Sequence, residues 1–280
     1  MIMGRTVLID ADIAAYQVAS TQEEVYNFGG RHVLHADLDN GIAELDNLIE
    51  WIIETTDSDQ AALFVTGDTA DNFRVGVLPT YKGNRSGNRK PMILPGLKDH
   101  LKELPRCFFE KTIEADDLIG IHATKPHKGE RVIYSQDKDL KTIPGLHWEH
   151  EDGEVIEISN HDADTFFFEQ ILTGDAVDNY AGCPGVGKVA AQEMLENPFI
   201  WVKHTRILKS GKNAGEERIE WKKEPVEVHN YIDMWRCIVS AYDKAGLSEK
   251  DALQQARCAR ILRHGDYDFD TQEVNLWTPM

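Results

Sequence analysis

Nine carboxylates stand in five short clusters along the chain: Asp10; Asp68; Glu114, Asp116 and Asp117; Asp137 and Asp139; Asp175 and Asp178. Gathered into one pit they would repel one another severely unless cations neutralised them. Mg2+ takes oxygen ligands and keeps several waters, which suits short carboxylates. Two such ions about 3.5–4 Å apart stabilise the attacking and leaving oxygens of an in-line phosphodiester hydrolysis. The set predicts a site for two Mg2+ ions, with Mn2+ as a substitute. It is strong as a set and weak in any single member, because an isolated Asp after a strand more often caps the next helix. Glu114 and Asp117 share a helix face at i, i+3, and Asp116 projects from a neighbouring face.

Gly182-Cys183-Pro184-Gly185-Val186-Gly187-Lys188 fits the spacing of a phosphate-binding P-loop. That reading fails at Val189, where magnesium coordination needs Ser or Thr, and at the residues before it, which do not read as a strand. A helix-hairpin-helix turn fits better. Gly185 and Gly187 would let backbone N–H groups meet a phosphate at a helix N-terminus. The following helix would begin near Lys188 and bury Ala191, Met194 and Leu195. A third motif, Tyr81-Lys82-Gly83-Asn84-Arg85, sets an aromatic beside two cations, which suits a splayed nucleotide and its phosphate.

Two stretches are locally basic. Residues 82–106 hold seven bases, Arg89 and Lys90 among them, against two acids, and residues 203–223 hold seven against three. The net charge of the whole chain is −18, which argues against coating nucleic acid through overall basicity. It leaves room for local patches that meet DNA beside a carboxylate pit. Either stretch alone would more often be a solvated face.

The elements that must position these groups are visible as short apolar runs. Thr6–Ile9, Ala61–Thr66 and Arg131–Tyr134 read as buried parallel strands, each running into acids at its C-terminal end. Leu38, Ile42, Leu45, Ile49 and Ile52 recur at helical steps between the first two. Strands alternating with helices predict a parallel α/β sheet, whose ligands bind outside the carboxyl ends of the strands. With 280 residues and 41% apolar content, the chain can bury a sizeable core. Four dispersed cysteines give neither a zinc site nor a disulfide framework and predict a reducing compartment. No apolar run approaches the roughly 20 residues of a membrane span, and a strand-like run at the very start predicts no signal peptide. The expected location is the cytoplasm.

The strings LIDAD, FVTGD, YKGNR, EADD, SQDKDL and TGDAVDNYAGCPGVGKVAA, in that order, closely resemble the 5′ nuclease family of flap endonucleases and 5′-to-3′ exonucleases. NPFI, LKSGKN, ARILR and the Leu276-Trp277 ending resemble, more narrowly, the exonucleases of the T7 group of phages. The resemblance implies a PIN-like parallel sheet flanked by helices, with a helical arch and a helix–three-turn–helix DNA clamp that often holds K+. It implies Mg2+-dependent cleavage near a free 5′ end of duplex or flap DNA, and removal of RNA from RNA–DNA hybrids. The setting it implies is phage DNA replication, recombination and degradation in the host cytoplasm, by a monomer without membrane attachment. Carried over by motif, Glu114, Asp116, Asp137 and Asp139 would centre on the first metal with Asp10 and Asp68 nearby. Asp117 would lie outside them, and Asp175 and Asp178 would serve the second metal. Lys82 and Arg85 would polarise the scissile phosphate at the base of the arch, and Tyr81 would contact the end base. The family often places Lys two residues after the last hairpin Gly; here that residue is Val189, and Lys188 comes one earlier.

These expectations divide the chain into a nuclease core at 1–170, including an arch at about 80–106, and a mostly helical region at 171–280. The latter would hold the clamp at about 171–198 and then C-terminal helices. Two rivals compete. A haloacid dehalogenase-type phosphatase would use Asp10 as nucleophile, but leaves the hairpin and the acids at 175 and 178 unexplained. A DNA-junction binding module would make the acids structural, against the intact acid set.

Overall fold

The computed structural model describes residues 4–67, 71–85, 87, 89–210 and 215–279. In chain order the elements are β1 (Arg5–Asp10), α1 (Ala11–Thr21), β2 (Glu24–Phe28), β3 (Arg31–His35), α2 (Leu38–Thr55), β4 (Gln60–Phe64) and α3 (Phe73–Val77). There follow α4 (Leu94–Glu103), β5 (Cys107–Phe108), α5 (Ala115–Thr124), β6 (Glu130–Tyr134), β7 (Gly145–Glu149), β8 (Glu154–Ile158) and α6 (Asn160–Thr173). The chain continues through α7 (Lys188–Glu196), β9 (Phe199–Ile207), β10 (Glu217–Pro225), α8 (Tyr231–Lys244), α9 (Glu249–Ala259), β11 (Tyr267–Asp268) and β12 (Glu273–Val274).

The main sheet has the order β5-β4-β1-β6-β7-β8. Its first five strands are parallel, and β8 returns antiparallel on β7. The three apolar runs read from sequence are its adjacent central strands β4, β1 and β6. Val7, Leu8 and Ile9 are almost wholly buried because both faces of β1 are covered. On one face Leu45 and Ile52 of α2 and Leu97 and Leu101 of α4 close over Val7 and Ile9. On the other, Leu118 and Ile119 of α5 pack with Leu8 and Phe64. The chain runs outward from β1 to β4 and β5 on one side, then crosses back through α5 to β6 on the other side of β1, so the ends of β1 and β6 flank a point where strand order reverses. In such sheets this is where a ligand crevice opens.

Within the stretch assigned to the helical arch, Leu94–Glu103 forms the regular helix α4, whose Leu94, Leu97 and Leu101 are core residues. Their 3,4 spacing outweighs the Gly, Pro and charges around them.

The chain forms two compact units. The first comprises residues 1–76, 85–164 and 261–275; the second comprises 77–84, 165–260 and 276–280. The expected boundary at 170/171 therefore falls inside α6, and the C-terminal segment is shared. Residues 261–275 belong to the first unit because Ile261, Leu262 and Tyr267 are buried with Phe64 and Ile119.

In the second unit Phe167, Ile171, Trp235, Ile238 and Tyr242 form the core, and the Tyr242 hydroxyl donates to the Ile171 carbonyl at 2.7 Å. On α8 Trp235 and Ile238 are buried, whereas Ile232 is 40% exposed. Phe199–Ile207 and Glu217–Pro225 are strands rather than the helices expected. Strands β9 and β10 pair antiparallel over nine residues each, so the second basic stretch is a β-hairpin. Helix α7 begins at Lys188 and buries Ala191 and Met194, as its spacing predicts. The loop before it is held by a close backbone contact between Gly174 and Gly182. Both have left-handed φ, 69° and 67°, and a Cβ on Gly182 would come within 2.3 Å of the Gly174 nitrogen.

Candidate active site

Asp10 ends β1 and caps α1. Its Oδ1 accepts from the Ile13 N–H at 3.3 Å, and its Oδ2 accepts from the Ser135 hydroxyl at 3.0 Å. The residue is only 5% exposed. Burial first, then the neighbouring charges of Asp12 and, more weakly, Asp137, push its carboxyl up from 3.8 to about 7. Ser135, at the exit of β6, is the hinge of this corner, because its Oγ also accepts the Asp137 N–H at 3.0 Å. Asp137 in turn caps a short 3-10 helix over Lys138–Thr142, accepting from the Asp139 N–H at 2.8 Å. Asp139 lies 2.7 Å from the exposed ammonium of Lys138.

Glu114 and Asp116 open α5. Glu114 is buried, Asp116 half-buried and Asp117 fully buried. Asp117, which the family resemblance sets outside the first-metal group, has both carboxylate oxygens engaged within the protein. Both its oxygens accept from the Arg74 guanidinium at 2.7 Å, while Oδ2 also takes the Glu114 N–H at 3.0 Å and Oδ1 the Leu262 N–H at 3.1 Å. Arg74, itself 2% exposed, extends to the Glu114 carboxylate at 3.5 Å. Neither Arg74 nor Ser135 was singled out from sequence. The Phe73-Arg74 dipeptide lies far from EADD along the chain, and a serine after a strand carries no local signal.

Asp68 lies outside the described residues. Among the described residues no three acidic, histidine or cysteine side chains converge into a closed metal cage. The donor set is nonetheless all oxygen, and Ser135 brings Asp10 and Asp137 together on its hydroxyl, where a divalent cation would relieve their mutual repulsion. These residues fit an open, water-rich site for a hard ion.

Within the second unit the YKGNR and TGDAVDN motifs are tied together. The Lys82 N–H donates to the Asp178 carbonyl at 2.9 Å, the Asn84 amide to the Ala176 carbonyl at 2.9 Å, and the Asn179 amide to the Thr80 carbonyl at 2.6 Å. The Lys82 ammonium stands 3.7 Å from the Asp178 carboxylate, and Lys82 itself has a left-handed φ of 52°. Asp175 folds the intervening turn, its Oδ1 accepting from Val177 N–H at 2.6 Å and its backbone bridging Tyr180. Tyr81 departs from its expected role as a contact for the end base. Its ring is 6% exposed among core residues, and its hydroxyl donates to Asp178 at 2.9 Å. The local pairing of an aromatic with cations was real, but the ring points inward.

Arg85 ends a 3-10 turn over Gly83–Arg85 and is exposed. Arg89 is engaged as a fork on the Glu23 carboxylate, at 2.8 and 2.5 Å, with the Met92 N–H joining it; these bonds hold the Glu23 carboxyl well below the usual range. This pairing holds Arg89 at the surface, and Lys90 beside it is also exposed. Gly185, Gly187 and Lys188 are exposed, and no side chain caps the first turn of α7 at Gly187.

The model of the 5′-3′ exonuclease N-terminal, resolvase-like domain matches residues 6–161. The exonuclease of Escherichia phage T7 is 39% identical over 207 residues, which are 72% of this chain and 68% of that one. The exodeoxyribonuclease of Enterobacteria phage T3 is 36% identical over 207 residues, with the same shares. A flap endonuclease Xni of Shewanella is 31% identical over 137 residues, 44% of this chain and 53% of its own. Among solved structures, a T5 protein co-crystallised with metal ions superposes with a TM-score of 0.58 at 14% identity, covering 90% of this chain and 88% of its own. The T5 5′-exonuclease with zinc bound gives 0.55 at 15% identity, over 91% and 93%. The expected PIN-like sheet is thus present, and the chain belongs to the 5′-3′ exonuclease family.

Proposed function

We infer that this chain is a divalent-metal-dependent phosphodiesterase that degrades DNA from a 5′ end, with flap endonuclease activity. The observation that carries this reading is the pairing of Asp10 with Asp137 through Ser135 at the exits of β1 and β6, in a chain whose residues 6–161 match the 5′-3′ exonuclease N-terminal domain. Family membership removes the phosphatase rival. Asp10, Glu114, Asp116, Asp137 and Asp139 would hold the first ion together with Asp68, and Asp175 and Asp178 would serve a second. We take the ions to be Mg2+, with Mn2+ as a substitute; when bound they supply charge neutralisation and Lewis acidity for in-line displacement.

The protein's own groups prepare that chemistry. Ser135 fixes Asp10 against Asp137, and Arg74 fixes Glu114 at the start of α5. Lys82 and Arg85 are the cations we assign to the scissile phosphate, where preorganised charge lowers the barrier. The backbone at Gly185 and Gly187, with Lys188, would take a duplex phosphate, since an uncapped helix start is a ready anion site. A K+ ion in that hairpin and cleavage of the RNA strand of RNA–DNA hybrids belong to the same reading. So does action as a monomer in a bacterial host's cytoplasm. Among the described residues no helix is long and apolar enough to cross a membrane.

The test compares one plasmid in three forms with Mg2+ and with chelator. Linear and nicked forms should be degraded from their 5′ ends in Mg2+ only, and the covalently closed relaxed circle should survive. Equal loss of the closed circle, or cleavage in chelator, would overturn the reading.

A further inference from the structure

We propose that Asp12, Lys98 and Thr66 form a clasp that positions the acids of β1 and α5 relative to one another. Asp12, in the first turn of α1, sends Oδ2 to the Thr66 N–H at 2.8 Å. Its Oδ1 lies 2.8 Å from the ammonium of Lys98 on α4, and that ammonium also donates to the Thr66 carbonyl at 3.2 Å. The Thr66 hydroxyl oxygen accepts the Ala115 N–H at 3.1 Å. Ala115 is the residue between Glu114 and Asp116. One residue at the exit of β4 therefore ties together the helix that follows Asp10, the helix that carries Glu114 and Asp116, and α4 behind them. Thr66 also lies two residues before Asp68.

This explains two otherwise awkward features. Asp12 adds negative charge beside Asp10, where acids are already crowded; its bond to Thr66 is the reason to place a carboxylate there, and Lys98 makes that charge tolerable. Lys98 was counted among the cations of a basic stretch, yet its side chain is only 26% exposed and is bound inward at two points. Groups that orient metal ligands from behind typically matter by about 10–100-fold in metal affinity or activity.

The proposal rests on the reading of the acids as a divalent-ion site. Lys98→Met separates positioning from electrostatics by sign. Losing a positive charge beside the acids should by itself strengthen cation binding; losing the clasp should weaken it. The measurement is thermal stabilisation during Mg2+ titration, with single-turnover cleavage and DNA dissociation constants in Ca2+. We expect the Mg2+ midpoint to rise about tenfold and the rate at saturating Mg2+ to fall by a similar factor. DNA affinity should stay within about twofold, well short of the effect of a lost phosphate contact. Lys98→Arg should restore most of both. Lys102→Met, on the exposed side of α4 with Asp99 as its partner, should change neither.

If Lys98→Met fails to fold, the charge-conserving pair Asp12→Asn with Lys98→Met takes its place, with the same expectation. A lowered or unchanged midpoint, or a loss confined to DNA affinity, overturns the clasp. A wild-type protein that Mg2+ fails to stabilise overturns the metal-site reading and the clasp with it.

Discussion

A carboxyl that is buried, hydrogen-bonded and still raised to about 7 is a cost the fold carries for its site. For Asp10 the folded value lies above the unfolded 3.8, so the folded state prefers the proton. The group is harmless to stability below about pH 4, grows destabilising as pH rises toward 7, and is fully destabilising above it. Asp10→Asn keeps the cap on α1 and removes the charge. Metal-free, it should melt about 5 °C or more above wild type at pH 8, with the gain vanishing near pH 4 or in excess Mg2+; cleavage should be lost throughout. Equal melting at pH 8 would show that Asp10 is not strained by its neighbours. Arg74 is the opposite case, a cation that stabilises by being paired. Arg74→Met should cost about 3–5 kcal/mol in denaturant unfolding, because it strands the Asp117 charge, and adding Asp117→Asn should recover much of that loss. The acids were legible because their type and spacing announce chemistry. Their supports were not: Arg74 meets Asp117 across 43 residues, and no local pattern encodes that meeting.

At the level of elements, periodicity served well where one period dominated. The 3,4 spacing in α2 and the unbroken apolar runs of the central strands survive into the structure. It failed where charge masked it. In Phe199–Ile207 the alternation of a strand is overlaid by bases, so the segment read as a basic patch without a period. As a hairpin, it sets Arg206 directly across from Arg218. Like charges opposite one another destabilise a sheet, and Glu220 offers only a 3.5 Å contact to Arg206 at an exposed position. An arrangement that stores repulsion at the surface is relieved by an anion. Replacing both arginines with Gln should leave folding intact and lower the slope of log affinity for DNA against log salt by about two. An unchanged slope would make this hairpin a solvated face.

For the molecule as a whole, the parallel sheet was legible from three acid-terminated runs, but the division into units was not. A boundary read along the sequence assumes that each unit is continuous, and here the chain enters the first unit three times. The last visit, residues 261–275, completes the first unit's core. Ile261 and Leu262 are buried, the Leu262 N–H satisfies Asp117, and a Cβ on Gly120 would come within 2.4 Å of the Leu262 carbonyl oxygen. Removing everything after Arg260 should therefore abolish Mg2+-dependent cleavage and lower thermal stability, although every acid of the site is retained. A truncated chain that still cuts at wild-type rate would show the return to be dispensable.

That return also orders events in time. Synthesis runs from the N-terminus, so Asp10, Glu114 and Asp137 are all made long before Leu262 exists to close the helix beneath them. Until then Asp117 lacks one of its bonds, and the α5 face lacks its cover. The chain should thus stay inert until residues 261–275 have been made and packed onto the first unit. Fragments that stop short of them would be harmless to the nucleic acid around them.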